Sequence, residues 1–188
     1  MRHTIVATCV LTLASCTSVD PTMTGTRIIP LNSERAFERM MDDAKGLGLQ
    51  RETAGAETRY VATLRKGDPA WDQFVSRELT FAETLRFVVE AQPPKSLRST
   101  QHYNGDAIVI GSEITLEPVD AGQTKVAFRV IPASGPRASD YSSFLNACRF
   151  AAVLNAVGKL DAGRSDSAKA EEAAAYDLCT KESRALTT

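Results

Sequence analysis

Three carboxylates, Asp68, Asp72 and Glu83, lie close in sequence to the lone tryptophan, Trp71. Paired carboxylates beside an aromatic platform are what glycoside hydrolysis uses, one as acid and the other as base or nucleophile. The competing reading makes Gly67-Asp68-Pro69 a solvated turn, with Trp71 and Phe74 plugging an edge of the core. Glu83 interrupts an otherwise apolar face, so it marks either a bulge at a sheet edge or a buried carboxylate in a pocket. Trp71 and Glu83 are therefore where a ligand pocket is expected, and no residue is assigned a catalytic role.

Beyond the first few residues the chain has one histidine, His102, in the polar stretch Ser99 to Asn104, read as a surface loop. Gly111-Ser112-Glu113 could offer a serine but lacks the G-x-S-x-G elbow and sits within a strand pattern. Zinc needs several Cys, His or carboxylate ligands at workable spacing, and no such cluster stands out. Neither a phosphate-cradling loop, a dinucleotide glycine pattern, a CxxC pair nor a calcium loop occurs, so no metal and no cofactor is expected. Lys95 and Arg98 read as a solvated connection, and Met40 and Met41 as core filler.

These side chains must be carried by a recognisable series of elements. Thr26 to Ile29 is a short strand stopped by Pro30. Ser33 can cap a helix in which Phe37, Met40, Met41, Ala44 and Leu47 recur at helical spacing. Leu49–Thr53 and Thr58–Leu64 flank Ala54-Gly55-Ala56 as a hairpin, with Tyr60, Ala62 and Leu64 on one face. Leu79, Phe81, Leu85, Phe87 and Val89 alternate along a long strand. After Pro93-Pro94, a second hairpin aligns Ile108, Ile110, Ile114 and Leu116 with Val126, Phe128 and Val130 across an Asp120-Ala121-Gly122 turn. Asp140 can cap a helix running to about Val157, with a broad apolar surface that suits a sheet. Asp161 to Asp166 is a linker, and Ser167 to Cys179 an alanine-rich helix too weakly apolar to stand alone.

The series predicts an α+β fold: an antiparallel sheet of about five or six strands with N-terminal and C-terminal helices packed on one face. The chain has 22 Lys+Arg against 23 Asp+Glu, which gives no concentrated basic face and excludes nucleic acid as a partner.

The first residues, Met1-Arg2-His3, precede the mostly apolar run Thr4 to Leu13, too short to span a bilayer at ~20 residues. They read as a signal peptide. The run ends in Leu13-Ala14-Ser15-Cys16, which resembles the lipobox of bacterial lipoprotein precursors: a large aliphatic residue, two small ones and the cysteine. The resemblance implies cleavage before Cys16 and lipid on its thiol, and two or more acyl chains would anchor it stably in a membrane. Thr17 and Ser18 follow where an aspartate would retain the protein at the inner membrane, so the implied location is the outer membrane, facing the periplasm. Residues 1–15 are then the signal peptide, 16–25 a lipidated tether, 26–160 the α+β domain and 161–188 a C-terminal helical tail. Cys9 leaves with the signal peptide and Cys16 is lipidated. Cys148 and Cys179 remain as an even pair in an oxidising compartment, which favours a disulfide over two free thiols.

The order of elements over residues 26–158 resembles the helix-grip architecture of START-like lipid-binding domains and of a lipoprotein subunit of the outer-membrane barrel-assembly machine. A second helix expected after the first in START-like domains is missing from the pattern. The expectation is a non-catalytic envelope lipoprotein that binds an envelope protein or supports envelope assembly. The alternative is a carrier of a lipid or small apolar ligand in a helix-grip cavity.

Overall fold

In the computed structural model, residues 23–42, 48–54, 57–69, 71, 82–161 and 163–185 are described. Cys16, the segments 1–15 and 17–22, Ala44, Leu47, Gly55, Asp72, Phe74, Leu79 and Phe81 lie outside them. No helix among the described residues is long and apolar enough to cross a membrane.

Alternation along the chain builds one face of a sheet. In β6 (Ile108–Pro118) and β7 (Thr124–Ser134), Ile110, Ile114, Leu116, Val126, Phe128 and Val130 are buried, with Ile114 opposite Phe128 and Leu116 opposite Val126. Cross-strand pairs of this kind fix register, because a slip of one residue would turn every apolar group to water. The remaining strands are β1 (Thr24–Ile29), β2 (Gln50–Ala54), β3 (Glu57–Arg65), β4 (Thr84–Glu90) and β5 (Lys95–Tyr103). All seven form one antiparallel sheet in the order β1-β7-β6-β5-β4-β3-β2. Seven strands among the described residues is one more than the sequence patterning predicts.

The extra strand is β5, which corrects the reading of Lys95, Arg98 and Ser99–Tyr103 as loop; Asn104 lies in the turn that follows. Its inward residues are Lys95, Leu97, Ser99, Gln101 and Tyr103, and three of these are polar although all but Leu97 are buried. A strand announces itself by contrast between its faces, and β5 has little.

Helix α1 (Ser33–Asp42) buries Ala36 and Met40. Its cap lies one residue earlier than predicted: Asn32 Oδ1 accepts from the Arg35 amide at 2.9 Å. Helix α2 (Ala138–Leu160) begins after Gly135, whose φ of 108° suits glycine alone. Asp140 lies within its first turn instead of capping it, because Arg137 holds the N-cap position. Along α2, Phe144, Leu145, Cys148, Ala151, Leu154 and Val157 are buried, and the helix lies across β7 and β6 with α1 beside it on the same face. Full burial of Leu154 and Val157 contributes about 1.5–3 kcal/mol each. Helix α3 (Asp166–Ala185) packs on α2. The result is α+β in helix-grip order, with the helices gripping one face of an antiparallel sheet.

At Gly25 in β1, a Cβ would fall within the Phe128 ring of β7, so the strands meet closely only because the side chain is absent.

Candidate functional site

The sheet separates residues that a nucleophilic mechanism would need together. Ser112 points inward from β6 and is buried, whereas His102, an even-numbered residue of β5, faces outward. His102 Nδ1 pairs with Asp106 Oδ1 at 2.7 Å and Nε2 with Thr100 Oγ1 at 3.2 Å, which fixes the imidazole at the β5–β6 connection. Trp71 is 6% exposed and joins the hydrophobic core. Its amide donates to the Asp68 carbonyl at 2.9 Å, and Asp68 Oδ2 accepts from the Arg65 amide at 2.7 Å, closing the turn after β3. Glu83 is exposed, and its Oε2 accepts from the Gly105 amide at 2.9 Å. The structure thus places Trp71 in the interior and the Glu83 carboxylate at a surface loop. Among the described residues no group of three or more His, Cys, Asp or Glu could hold a metal ion.

The inner face carries a polar cluster instead. Arg149 on α2 reaches down to the directly opposed pair Ser99 (β5) and Ser112 (β6). Its Nη2 donates to Ser112 Oγ at 2.6 Å and to Ser99 Oγ, and the two hydroxyls lie 3.1 Å apart. Tyr103 and Gln101 share that face, the Tyr103 hydroxyl donating to Gln101 Oε1 at 3.2 Å. Arg149 as a whole is half-buried, but its Nε has no solvent contact and, among the described residues, no acceptor. Burial pushes the guanidinium down to about 10, with the Tyr103 phenol opposing that shift. Burial also pushes Tyr103 up to about 12. At neutral pH the cluster therefore holds a cation and a neutral phenol. Among the described residues the cation's partners are hydroxyls, with no carboxylate, an unusual choice for a buried charge.

Beside this cluster lies a cavity of about 310 Å³ between α1, α2 and the sheet. Met40, Leu97, Ile114, Ala156 and Leu160 form its floor and walls, while the exposed residues Arg39, Asp42 and Lys159 surround its mouth. Leu97 and Ile114 are directly paired, one same-face step along β5 and β6 from Ser99 and Ser112. At the usual strand rise that step is about 7 Å. Lys95, the next inward residue of β5, pairs with Glu34 of α1 and lies 4.8 Å from the Phe37 ring centroid, tying α1 over this end of the groove. A larger cleft of about 620 Å³ separates α2 from α3, but its Arg164 and Glu172 pair with each other at 2.8 Å. The smaller cavity has an apolar body, and one same-face step along the sheet lies a guanidinium with no carboxylate partner among the described residues; together these are features of a binding site.

Sequence reasoning passed over Arg149, Ser99, Ser112 and Gln101 as a group. The available signal was an arginine within the broad apolar surface predicted for α2.

The Cys148 and Cys179 sulfurs lie at disulfide-bonding distance, with Cα atoms 4.5 Å apart, linking α2 to α3.

Comparison with known proteins gives structural likeness only. No family model matches the chain, and no curated protein does. Among solved structures, a conserved protein from Geobacillus kaustophilus is 16% identical with a TM-score of 0.41, the match covering 73% of this chain and 90% of that one. The Zhui aromatase/cyclase from Streptomyces sp. R1128 is 14% identical with a TM-score of 0.43, covering 73% and 91%. A truncated norcoclaurine synthase from Thalictrum flavum is 11% identical with a TM-score of 0.37, covering 76% and 93%. Likeness at this level says nothing about what this chain binds or does.

Proposed function

We propose that this chain is an envelope lipoprotein, anchored by lipid on Cys16 and facing the periplasm from the outer membrane, whose helix-grip domain binds a small ligand without transforming it. The observation that carries the binding role is the apolar cavity over Leu97 and Ile114, one same-face step along the sheet from the serine pair that receives the Arg149 guanidinium. The separation of Ser112 from His102 on opposite faces of the sheet favours binding over nucleophilic catalysis. The lipobox residues Leu13-Ala14-Ser15-Cys16 support the anchor.

Native mass spectrometry of the delipidated domain, refolded with an envelope extract, tests the binding role. A retained small-molecule adduct supports it, and a bare mass across the extract overturns it. Labelled palmitate should enter the wild-type chain and be absent from Cys16→Ala; equal labelling of both would reject the anchor.

A second reading, docking of an envelope protein, rests on Tyr176 and Leu178, which α3 leaves 56% and 39% exposed. Photo-cross-linking from position 176 in intact cells should capture a discrete envelope protein on that reading, and no adduct removes it.

A further inference from the structure

The groove's charge and dimensions say which ligand it suits. Arg149 stays protonated at neutral pH, and its hydrogen-bond partners, Ser99 and Ser112, are neutral. Nε–H points at no acceptor among the described residues. A buried ion lacking a counter-charge costs several kcal/mol, and a ligand bringing one negative charge would remove that cost. A dianion would overshoot and leave net charge in the same place. The neighbouring floor is Leu97, Ile114 and Met40, which suits an apolar body. At about 310 Å³ the cavity is at the small end of ligand sites, which excludes a long acyl chain held at full length. The step of about 7 Å between the two cross-strand pairs lets one small molecule span both.

We infer that the groove takes a small monocarboxylate with an apolar body, its carboxylate meeting the Arg149 guanidinium and its body lying over Leu97 and Ile114. Arg149 is half-buried as a residue, and side-chain movement of the kind that often accompanies binding would bring its guanidinium to the carboxylate. This rests on the reading of the groove as a ligand site and adds the chemistry of the head group.

Isothermal titration of the full chain with octanoate, 1-octanol and octyl phosphate tests it. Octanoate should bind roughly tenfold or more tightly than octanol, the usual difference for a charge-assisted hydrogen bond. Octyl phosphate should bind more weakly than octanoate at a pH where it is a dianion. In Arg149→Met the preference for octanoate over octanol should disappear. Equal binding of octanoate and octanol to the wild-type chain overturns the carboxylate assignment while the ligand-binding reading stands. Tighter binding of octyl phosphate overturns the charge match. Binding of none of the three overturns the assignment and, with it, the groove as a site for small amphiphiles. The wild-type comparisons decide the matter even if Arg149→Met fails to fold.

Discussion

Reduction of the Cys148–Cys179 link should release α3 before it unfolds the domain. Among the apolar residues of α3 whose burial is described, only Ala175 and Cys179 are buried, while Tyr176 and Leu178 stay exposed. Burial of an alanine contributes little, and an isolated alanine-rich helix of this length is marginal in water. Arg27 of β1 pairs with Glu171 at 2.8 Å, a partly exposed contact of the kind that gives under about 1 kcal/mol. A covalent link between the two cysteines would therefore be the main attachment. Its sequence separation is 31, so chain entropy assigns it about 3 to 4 kcal/mol against global unfolding. With a urea slope near 2 kcal/mol/M, the unfolding midpoint should drop by about 1.5–2 M on reduction. Urea titrations with and without a phosphine reductant give that number, and hydrogen exchange locates the change. Amides of α3 should lose protection while those of α2 keep it. A midpoint shift under about 0.3 M, with both thiols shown free by alkylation, would refute the view that the link clamps α3. Alkylation of both thiols before reduction would show that there is no link.

Ser99→Ala should destabilise by about 1–3 kcal/mol, because it removes an acceptor from a buried guanidinium. The same change in an Arg149→Met background should cost well under half of that, measured as a double-mutant cycle by chemical denaturation. Gly25→Ala should cost about 1–3 kcal/mol through overlap with the Phe128 ring, read as a fall in melting temperature. Burial pulls Glu113 up, but hydrogen bonds from Arg98 and Arg129 outweigh it and hold the carboxyl below its ordinary 4.5. A lowered folded value gives stability that is present above the unfolded value and lost as pH falls through the folded one. Glu113→Gln should therefore cost up to about 1 kcal/mol at pH 7, with the difference from wild type vanishing in acid; a constant difference across pH would disprove it.

Sequence patterning reveals elements where the two faces of a strand or helix differ. Ile108, Ile110, Ile114 and Leu116 declare β6, and Tyr60, Ala62 and Leu64 declare β3, each set sharing a face in the structure. Tyr60 pairs with Val89, Ala62 with Phe87 and Leu64 with Leu85, so the odd-residue alternation read for β4 also meets its partner. In β5 the same reasoning fails for a physical cause: Lys95, Ser99 and Gln101 face inward because Glu34, Arg149 and Tyr103 are there to receive them. Two of those partners, Glu34 on α1 and Arg149 on α2, are far away in sequence, and no local pattern reports them. The candidate site is illegible for the same reason that β5 is. Its polar residues look like loop until the fold brings their partners over them. Trp71 and Glu83 show the reverse case, near neighbours along the chain that the fold sends to the interior and the surface respectively.

The Arg149–Ser99–Ser112 triangle also sets a trap for anyone engineering a hardier version of this domain. Greasy replacements of matching bulk at all three positions are expected to leave melting behaviour equal or improved, since interior ions are seldom the sturdiest option. A screen that rewards heat tolerance alone would favour such variants and, in doing so, select against recognition.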